Sequence, residues 1–145
     1  MSTDAPPVLA QLNLVVADMA ASVAFYRRLG LHVDDTRPFS AHHVEVRMPG
    51  GFILELDSVE FAKRWDTGWR GGHGSGRNVI GFSVASRQAV DDRYAELTDA
   101  GYAGHQAPGD AFWGARYAIV DDPDGNPVGI MSPIDPTRRT APPRL

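Results

Sequence analysis

The 145-residue chain contains no cysteine, which excludes disulfide bonds, thiolate metal sites and a cysteine nucleophile. No apolar run approaches the roughly 20 residues that a membrane-spanning helix needs. The N-terminal segment MSTDAPPVLAQL lacks the basic stretch and apolar core of a signal peptide. We therefore expect a cytoplasmic protein with no membrane partner.

Lysine is also scarce, and positive charge is dispersed along the chain. Lys63 is the only lysine, the net charge is −4 at pH 7, and no segment forms a basic stripe. This pattern argues against a nucleic-acid partner. Hydrophobic residues make up 43% of the chain and charged residues 22%, as is usual for a globular domain or two tightly joined half-domains of this length.

What the chain does contain is one pattern repeated twice. Residues 11–26 and 79–94 each begin as an alternating apolar strand, pass a short polar break and continue with helical spacing. Tyr26 and Tyr94 hold the same place in the two copies, and Pro49-Gly50-Gly51 corresponds to the later turn Pro123-Asp124-Gly125. A duplication of this kind predicts two similar half-domains with a ligand between their concave faces.

Alternation, capping residues and turn signals predict the elements of each half. We expect an α+β protein of two βαβββ modules whose curved open sheets surround a cup-shaped cavity. The predicted modules are 9–67 and 78–133, with a Gly-rich linker over 68–77 and a flexible tail over 134–145. The predicted strands include 31–34 in the first half, and a loop is predicted over 104–112 in the second.

Two segments, VVADMAASVAFYRRLGL and FWGARYAIVDDPDGNPVGIMSP, resemble the vicinal oxygen chelate superfamily over about residues 9–133. That superfamily includes glyoxalase I, extradiol dioxygenases and bleomycin-resistance binding proteins. The resemblance implies frequent homodimers, and in the enzymes a divalent metal bound by the first and last strands of each half. Those four positions are Gln11, Glu55, Val79 and Gly129. Because Val79 and Gly129 carry no donor atom, we expect no metal cofactor.

Polar and aromatic residues near the expected cavity are the candidate ligand contacts. They are His43, Arg47, Glu55, Trp65, Trp69, Phe112, Trp113 and Tyr117. A flat ligand can stack on the aromatic rings, and Glu55 can pair with a basic group. Plainer interpretations stay open: a solvent-facing strand for His43, a hydrogen bond to Gln11 for Glu55, and core or dimer packing for the tryptophans.

These observations favour a metal-independent binding protein of the glyoxalase/bleomycin-resistance type, with a role in antibiotic resistance. It would sequester a small, partly aromatic and possibly cationic ligand as a homodimer. The alternative is a glyoxalase-like lyase or isomerase, or a dioxygenase, whose metal is held by Gln11, Glu55 and a further ligand. A sensor or a partner domain without activity is the third interpretation.

Overall fold

The structure, a computed structural model, describes residue 6, residues 8–72 and residues 78–144. The chain divides into two compact units, residues 1–71 and 72–145, and the division falls inside the predicted linker 68–77. Residues 73–77 of that linker lie outside the described residues. None of the described helices combines the length and apolar character needed to cross a membrane.

The first unit is a three-stranded sheet with two helices. Its elements are β1 (Gln11–Val16), α1 (Met19–Leu29), β2 (His43–Arg47), β3 (Ile53–Ser58) and α2 (Val59–Trp65). The strand order is β1-β3-β2, with β1 parallel and β2 antiparallel to the central β3.

Helix α1 begins and ends where its sequence signals predict. The Asp18 carboxylate accepts a hydrogen bond from the Ala21 backbone N–H at 3.0 Å, and Gly30 ends the helix with φ 117°. One side of α1, including Phe25 and Tyr26, is buried. The even-numbered strand residues, such as Leu54 and Leu56, form the buried face of the sheet, so the odd-numbered residues share the other face.

The second unit has a four-stranded sheet. Its elements are β4 (Ile80–Ser83), α3 (Arg87–Asp99), β5 (Gly104–Asp110), β6 (Arg116–Asp121), β7 (Pro127–Met131) and a short 3₁₀ helix, Pro136–Arg138. The strand order is β4-β7-β6-β5. Ser86 caps α3 by accepting from the Ala89 N–H at 3.1 Å.

The two sheets repeat one hydrogen-bonding register. β1 pairs in parallel with β3, and β4 pairs in parallel with β7, at corresponding positions. The Asn13–Glu55 pair of the first unit therefore corresponds to the Gly81–Gly129 pair of the second. The predicted duplication and the α+β class with two open sheets are confirmed.

Two predicted elements are wrong. Residues 31–34 are not a strand, because the Val33 carbonyl accepts hydrogen bonds from the Arg27 guanidinium, at 2.6 Å from Nη2, instead of from a neighbouring strand. Residues 104–110 form β5 rather than a loop, pairing with β6 through two register shifts. These bulges accommodate the glycines and proline of GHQAPGD, which mask the strand in the sequence.

The segment predicted as a flexible tail runs alongside residues 112–114. The Asp135 backbone N–H donates to the Gly114 carbonyl at 2.9 Å, and the Thr140 N–H donates to the Phe112 carbonyl at 2.9 Å. Gly114 has φ 97°, and a Cβ there would lie 2.4 Å from the Asp135 carbonyl oxygen. The tail thus lies beside Phe112 and Trp113, and its mobility stays a prediction.

Candidate functional site

The odd-numbered strand residues of the first unit form a face that we call the polar face. Apart from Val15 and Ile53, its members are polar or charged: Gln11, Asn13, His43, Glu45, Arg47, Glu55 and Asp57. Strand alternation brings them to one side, and the β1-β3-β2 order sets them side by side.

Asp57 anchors this face. Its side chain is fully buried and accepts from Asn13 Nδ2 at 2.8 Å. His43 Nδ1 lies 2.5 Å from the other carboxylate oxygen. A carboxylate can only accept, so His43 donates through Nδ1, and this contact fixes the orientation of the ring. Asp57 therefore holds the Nε2 atom of His43 toward the rest of the polar face.

Two glutamates meet that Nε2 atom. Glu45 Oε1 lies 3.4 Å from it and Glu55 Oε1 lies 3.9 Å from it. Glu55, whose side chain is only 12% exposed, accepts from Gln11 Nε2 at 3.0 Å. Ligand atoms of His43, Glu45 and Glu55 all lie within 4.8 Å of one another, so among the described residues these three could hold a metal ion.

The carboxylates set the protonation of His43. Partial burial disfavours the imidazolium, but hydrogen bonds to Asp57 and Glu45 and the nearby negative charges favour it more strongly. The pKa of His43 is consequently raised above its usual value of 6.5. Protonation of this ring would offset part of the negative charge of the polar face.

The second unit carries a cavity of about 360 Å³, which we call the aromatic pocket. It is lined by Val79, Gly81, Phe82, Ser83, Trp113, Tyr117 and Met131. Trp113 and Tyr117 meet edge to face, with ring centroids 5.6 Å apart, and Trp113 Nε1 donates to the Met131 sulfur at 3.4 Å. The Phe112 ring also meets Trp113 edge to face, with ring centroids 5.2 Å apart. These contacts hold the indole at the pocket.

Tyr117 is a neutral phenol in this pocket. Burial raises the pKa of its hydroxyl above the usual value of 10.0, because the phenolate loses solvation there. The tyrosine therefore offers a ring face and a neutral hydroxyl to a ligand.

The superfamily's metal ligand positions in the second unit do not fit a metal ion. Neither Val79 nor Gly129 carries a donor atom. A Cβ added at Gly129 would lie 2.7 Å from Tyr117 Oη and 3.1 Å from Val79 Cγ1. A ring and an isopropyl group therefore fill the space where a ligand side chain at position 129 would start.

The residues predicted as ligand contacts fall into three places. His43, Arg47 and Glu55 lie together on the polar face. Phe112, Trp113 and Tyr117 form a continuous series of ring contacts at or beside the aromatic pocket. Trp65 ends α2 with 48% of its surface exposed, and Trp69 follows, its backbone N–H donating to the Asp66 carbonyl. Their roles in ligand binding stay predictions.

Sequence reasoning omitted several residues of these two sites. Glu45 lies two residues after His43, and Asp57 lies two residues after Glu55, on the same face of the sheet, so the period of two was the signal that could have found them. The plainer interpretation of Glu55, a hydrogen bond to Gln11, is what the structure shows. The position of Met131 against Trp113 had no comparable signal, since it depends on a long-range contact.

Comparison with known proteins identifies the family. The model of the glyoxalase/bleomycin resistance protein/dioxygenase superfamily matches residues 8–130. The chain belongs to this superfamily. None of the curated proteins compared with the chain matches it.

Solved structures of superfamily type share the fold. A glyoxalase/bleomycin resistance protein/dioxygenase from Nocardioides is 27% identical, with a TM-score of 0.68, 99% of this chain and 92% of that one being covered. A glyoxalase-related enzyme from Fulvimarina pelagi is 22% identical, with a TM-score of 0.74 and coverages of 87% and 88%. Lactoylglutathione lyase from Agrobacterium tumefaciens is 20% identical, with a TM-score of 0.65 and coverages of 89% and 96%.

Proposed function

We propose that this superfamily member binds a small, partly aromatic molecule in the aromatic pocket, without the metal that the superfamily's enzymes hold. The observation that carries the proposal is the contact among Gly129, Tyr117 and Val79. In the second unit, an aromatic ring occupies the space of a metal-ligand side chain. Of the two ligand positions in the second unit, Val79 lines the aromatic pocket and Gly129 packs against Tyr117.

The chemistry of the pocket suits a flat ligand. Trp113 and Tyr117 meet edge to face, so a ligand ring can stack on one while contacting the edge of the other. Met131 adds a polarizable thioether that adapts to ligand shape. The volume of about 360 Å³ lies at the small end of known ligand sites, which suits a ring system rather than a large polymer.

The expected role is sequestration, as in antibiotic resistance of the bleomycin-resistance type. A protein that only withholds a compound needs affinity and no catalytic group, and the aromatic pocket supplies contacts without an evident nucleophile. The net charge of −4 at pH 7 would favour a cationic ligand through the long-range field of the protein. A homodimer and a cytoplasmic location remain part of the proposal.

Tryptophan fluorescence tests the proposal, because the chain has three tryptophans and only Trp113 lines the aromatic pocket. The double variant Trp65→Leu/Trp69→Leu leaves Trp113 as the single reporter. Titration with bleomycin and with a panel of flat aromatic compounds, in excess EDTA, is expected to quench its emission saturably for at least one compound.

Matched variants make the assay specific. Trp113→Leu and Met131→Ala are expected to weaken binding, measured by calorimetry, at least tenfold. Phe39→Leu, at an exposed aromatic residue of the first unit, is expected to leave the affinity unchanged. Absence of quenching across the panel, or binding that disappears in EDTA, would overturn the proposal.

A metal-dependent lyase, isomerase or dioxygenase is the second candidate function. One observation favours it: the ligand atoms of His43, Glu45 and Glu55 lie within 4.8 Å of one another. Lactoylglutathione is the first compound to assay, because a structurally similar protein, lactoylglutathione lyase, is named for it. Turnover by the wild-type protein would favour this candidate over simple binding if EDTA abolishes it and if the Glu55→Ala variant shows none.

A further inference from the structure

We propose that the polar face binds one divalent transition-metal ion through His43 Nε2 and the carboxylates of Glu45 and Glu55. The site belongs wholly to the first unit. It shares Glu55 with the superfamily's ligand positions but takes its other two ligands from β2. It does not depend on ligand binding in the aromatic pocket.

The distances suit a single ion. Metal bonds of about 2.0–2.2 Å to nitrogen and oxygen place ligand atoms roughly 3–4 Å apart. His43 Nε2 lies 3.4 Å from Glu45 Oε1 and 3.9 Å from Glu55 Oε1, and the whole set lies within 4.8 Å. The two glutamate side chains must rotate to bring all three atoms within bonding distance of one ion.

The buried Asp57 supplies an independent observation. A metal-binding histidine commonly donates its second ring N–H to a carboxylate, which fixes the tautomer and the ring orientation. His43 Nδ1 makes that contact with Asp57, and Asn13 holds the other oxygen of Asp57. Nε2 is thereby held facing the two glutamates, and an ion bound there would take the place of the Nε2 proton.

The charges on the sheet also favour a cation. Glu45 and Glu55 are directly opposite each other in the β2–β3 register, and like charges in this arrangement are destabilising. Arg47 contacts Glu45 at 3.2 Å, but its side chain is 73% exposed, so its compensation is weak. A divalent ion between the carboxylates removes this repulsion.

The ligand types indicate which metals fit. One imidazole with two carboxylates suits zinc, iron or manganese, whereas magnesium and calcium favour oxygen alone. Three protein ligands leave at least one coordination position for water or another small molecule. Zinc and cobalt are therefore the appropriate probes, zinc for affinity and cobalt for its visible spectrum.

The test uses the full chain, freed of metal by dialysis against EDTA. Competition with a chromophoric chelator is expected to show one Zn²⁺ per chain. His43→Ala and Glu55→Ala are each expected to weaken Zn²⁺ binding at least tenfold, and Asp57→Asn to weaken it 10- to 100-fold. Co²⁺ is expected to give a visible absorption band that His43→Ala changes.

His105 provides the matched control. Its Nδ1 lies 2.9 Å from Asp121 Oδ1, so it is also a histidine–carboxylate pair on a strand. His105→Ala is expected to leave zinc affinity unchanged. If His43→Ala, Glu55→Ala or Asp57→Asn fails to fold, as judged by circular dichroism, zinc affinity is measured in Glu45→Gln instead. This substitution is isosteric and lies at an exposed position, and the same tenfold loss of affinity is expected.

Three results would overturn the proposal: no stoichiometric zinc, zinc affinity that His43→Ala and Glu45→Gln leave intact, or an equal loss in His105→Ala. The fluorescence assay of the aromatic pocket is run in EDTA. Failure of the metal site and failure of the ligand proposal are therefore distinguishable.

Discussion

The two sheets of this protein share a register and differ in chemistry. Six of the seven polar residues on the face of the first sheet have an apolar residue, a tyrosine or a glycine at the corresponding position of the second, and the seventh, Arg47, corresponds to Asp121. The pairs are Gln11 and Val79, Asn13 and Gly81, His43 and Tyr117, Glu45 and Ile119, Glu55 and Gly129, and Asp57 and Met131.

The comparison shows what a duplicated fold fixes and what it leaves free. Backbone hydrogen bonds and the buried face set the register in both halves, since Leu54 and Val128 are equally buried at equivalent positions. The opposite face carries none of that constraint. Function therefore follows the side chains on that face rather than the fold itself.

Replacing Asp57 with methionine, the residue at the equivalent position 131, is expected to have the largest effect. The change removes the acceptor of Asn13 Nδ2 and His43 Nδ1, leaving two donors unpaired beside a buried side chain. The free energy of unfolding in EDTA is expected to fall by about 3 kcal/mol. Urea denaturation followed by circular dichroism measures it.

Met131→Leu is the control for that substitution and is expected to cost less than about 1.5 kcal/mol. Equal losses for the two variants would mean that Asp57 acts only as a space-filling residue. The difference that we describe between the hydrogen-bonded polar face of the first sheet and the packed face of the second would then be wrong.

Alanine at the paired glycines Gly81 and Gly129 tests the packed face with a smaller effect. A Cβ at Gly81 meets nothing within 4 Å, whereas one at Gly129 lies 2.7 Å from Tyr117 Oη. We expect Gly81→Ala to stabilise the protein by about 0.5–1 kcal/mol. Gly129→Ala is expected to destabilise it by about 1 kcal/mol, because Tyr117 must move.

Thermal and urea unfolding give both values, and Trp113 fluorescence reports whether the Tyr117 ring has shifted. If Gly129→Ala were as stabilising as Gly81→Ala, Tyr117 would not occupy the space that we assign to it. Position 129 would then be unsuited to a metal only because glycine has no side-chain donor atom.

The smallest effect is the alkaline titration of Tyr117. Its folded pKa is raised by burial, so the unfolded chain loses the phenol proton first, near pH 10. The folded state is therefore penalised as pH rises from about 10 through the folded pKa. Wild-type stability is expected to fall more steeply in this range than that of Tyr117→Phe.

Tyrosinate absorbance supplies a direct check. The difference between the wild-type and Tyr117→Phe titrations is expected to have its midpoint above 10.0. A midpoint at or below that value would show that the phenol is freely solvated and that the aromatic pocket is open to water at this residue.

Much of the fold was predictable from short-range signals. Asp18, Gly30 and Ser86 marked the ends of helices correctly, and the duplication gave the paired positions. β5 was not predictable, because its glycines and proline hide a strand that only pairing with β6 establishes. The site was also predictable only in its short-range part. Alternation along β2 places His43 and Glu45 on one face, but only the register between β2 and β3 sets Glu45 opposite Glu55.

The most direct test of the account is a crystal of the protein soaked with Zn²⁺ and a quenching aromatic compound, with data collected at the zinc edge. We expect one anomalous peak within bonding distance of His43 Nε2, Glu45 and Glu55, and ligand density against Trp113 and Tyr117. An ion at Val79 and Gly129, or a ligand bound away from Trp113, would contradict the division of chemistry between the two halves.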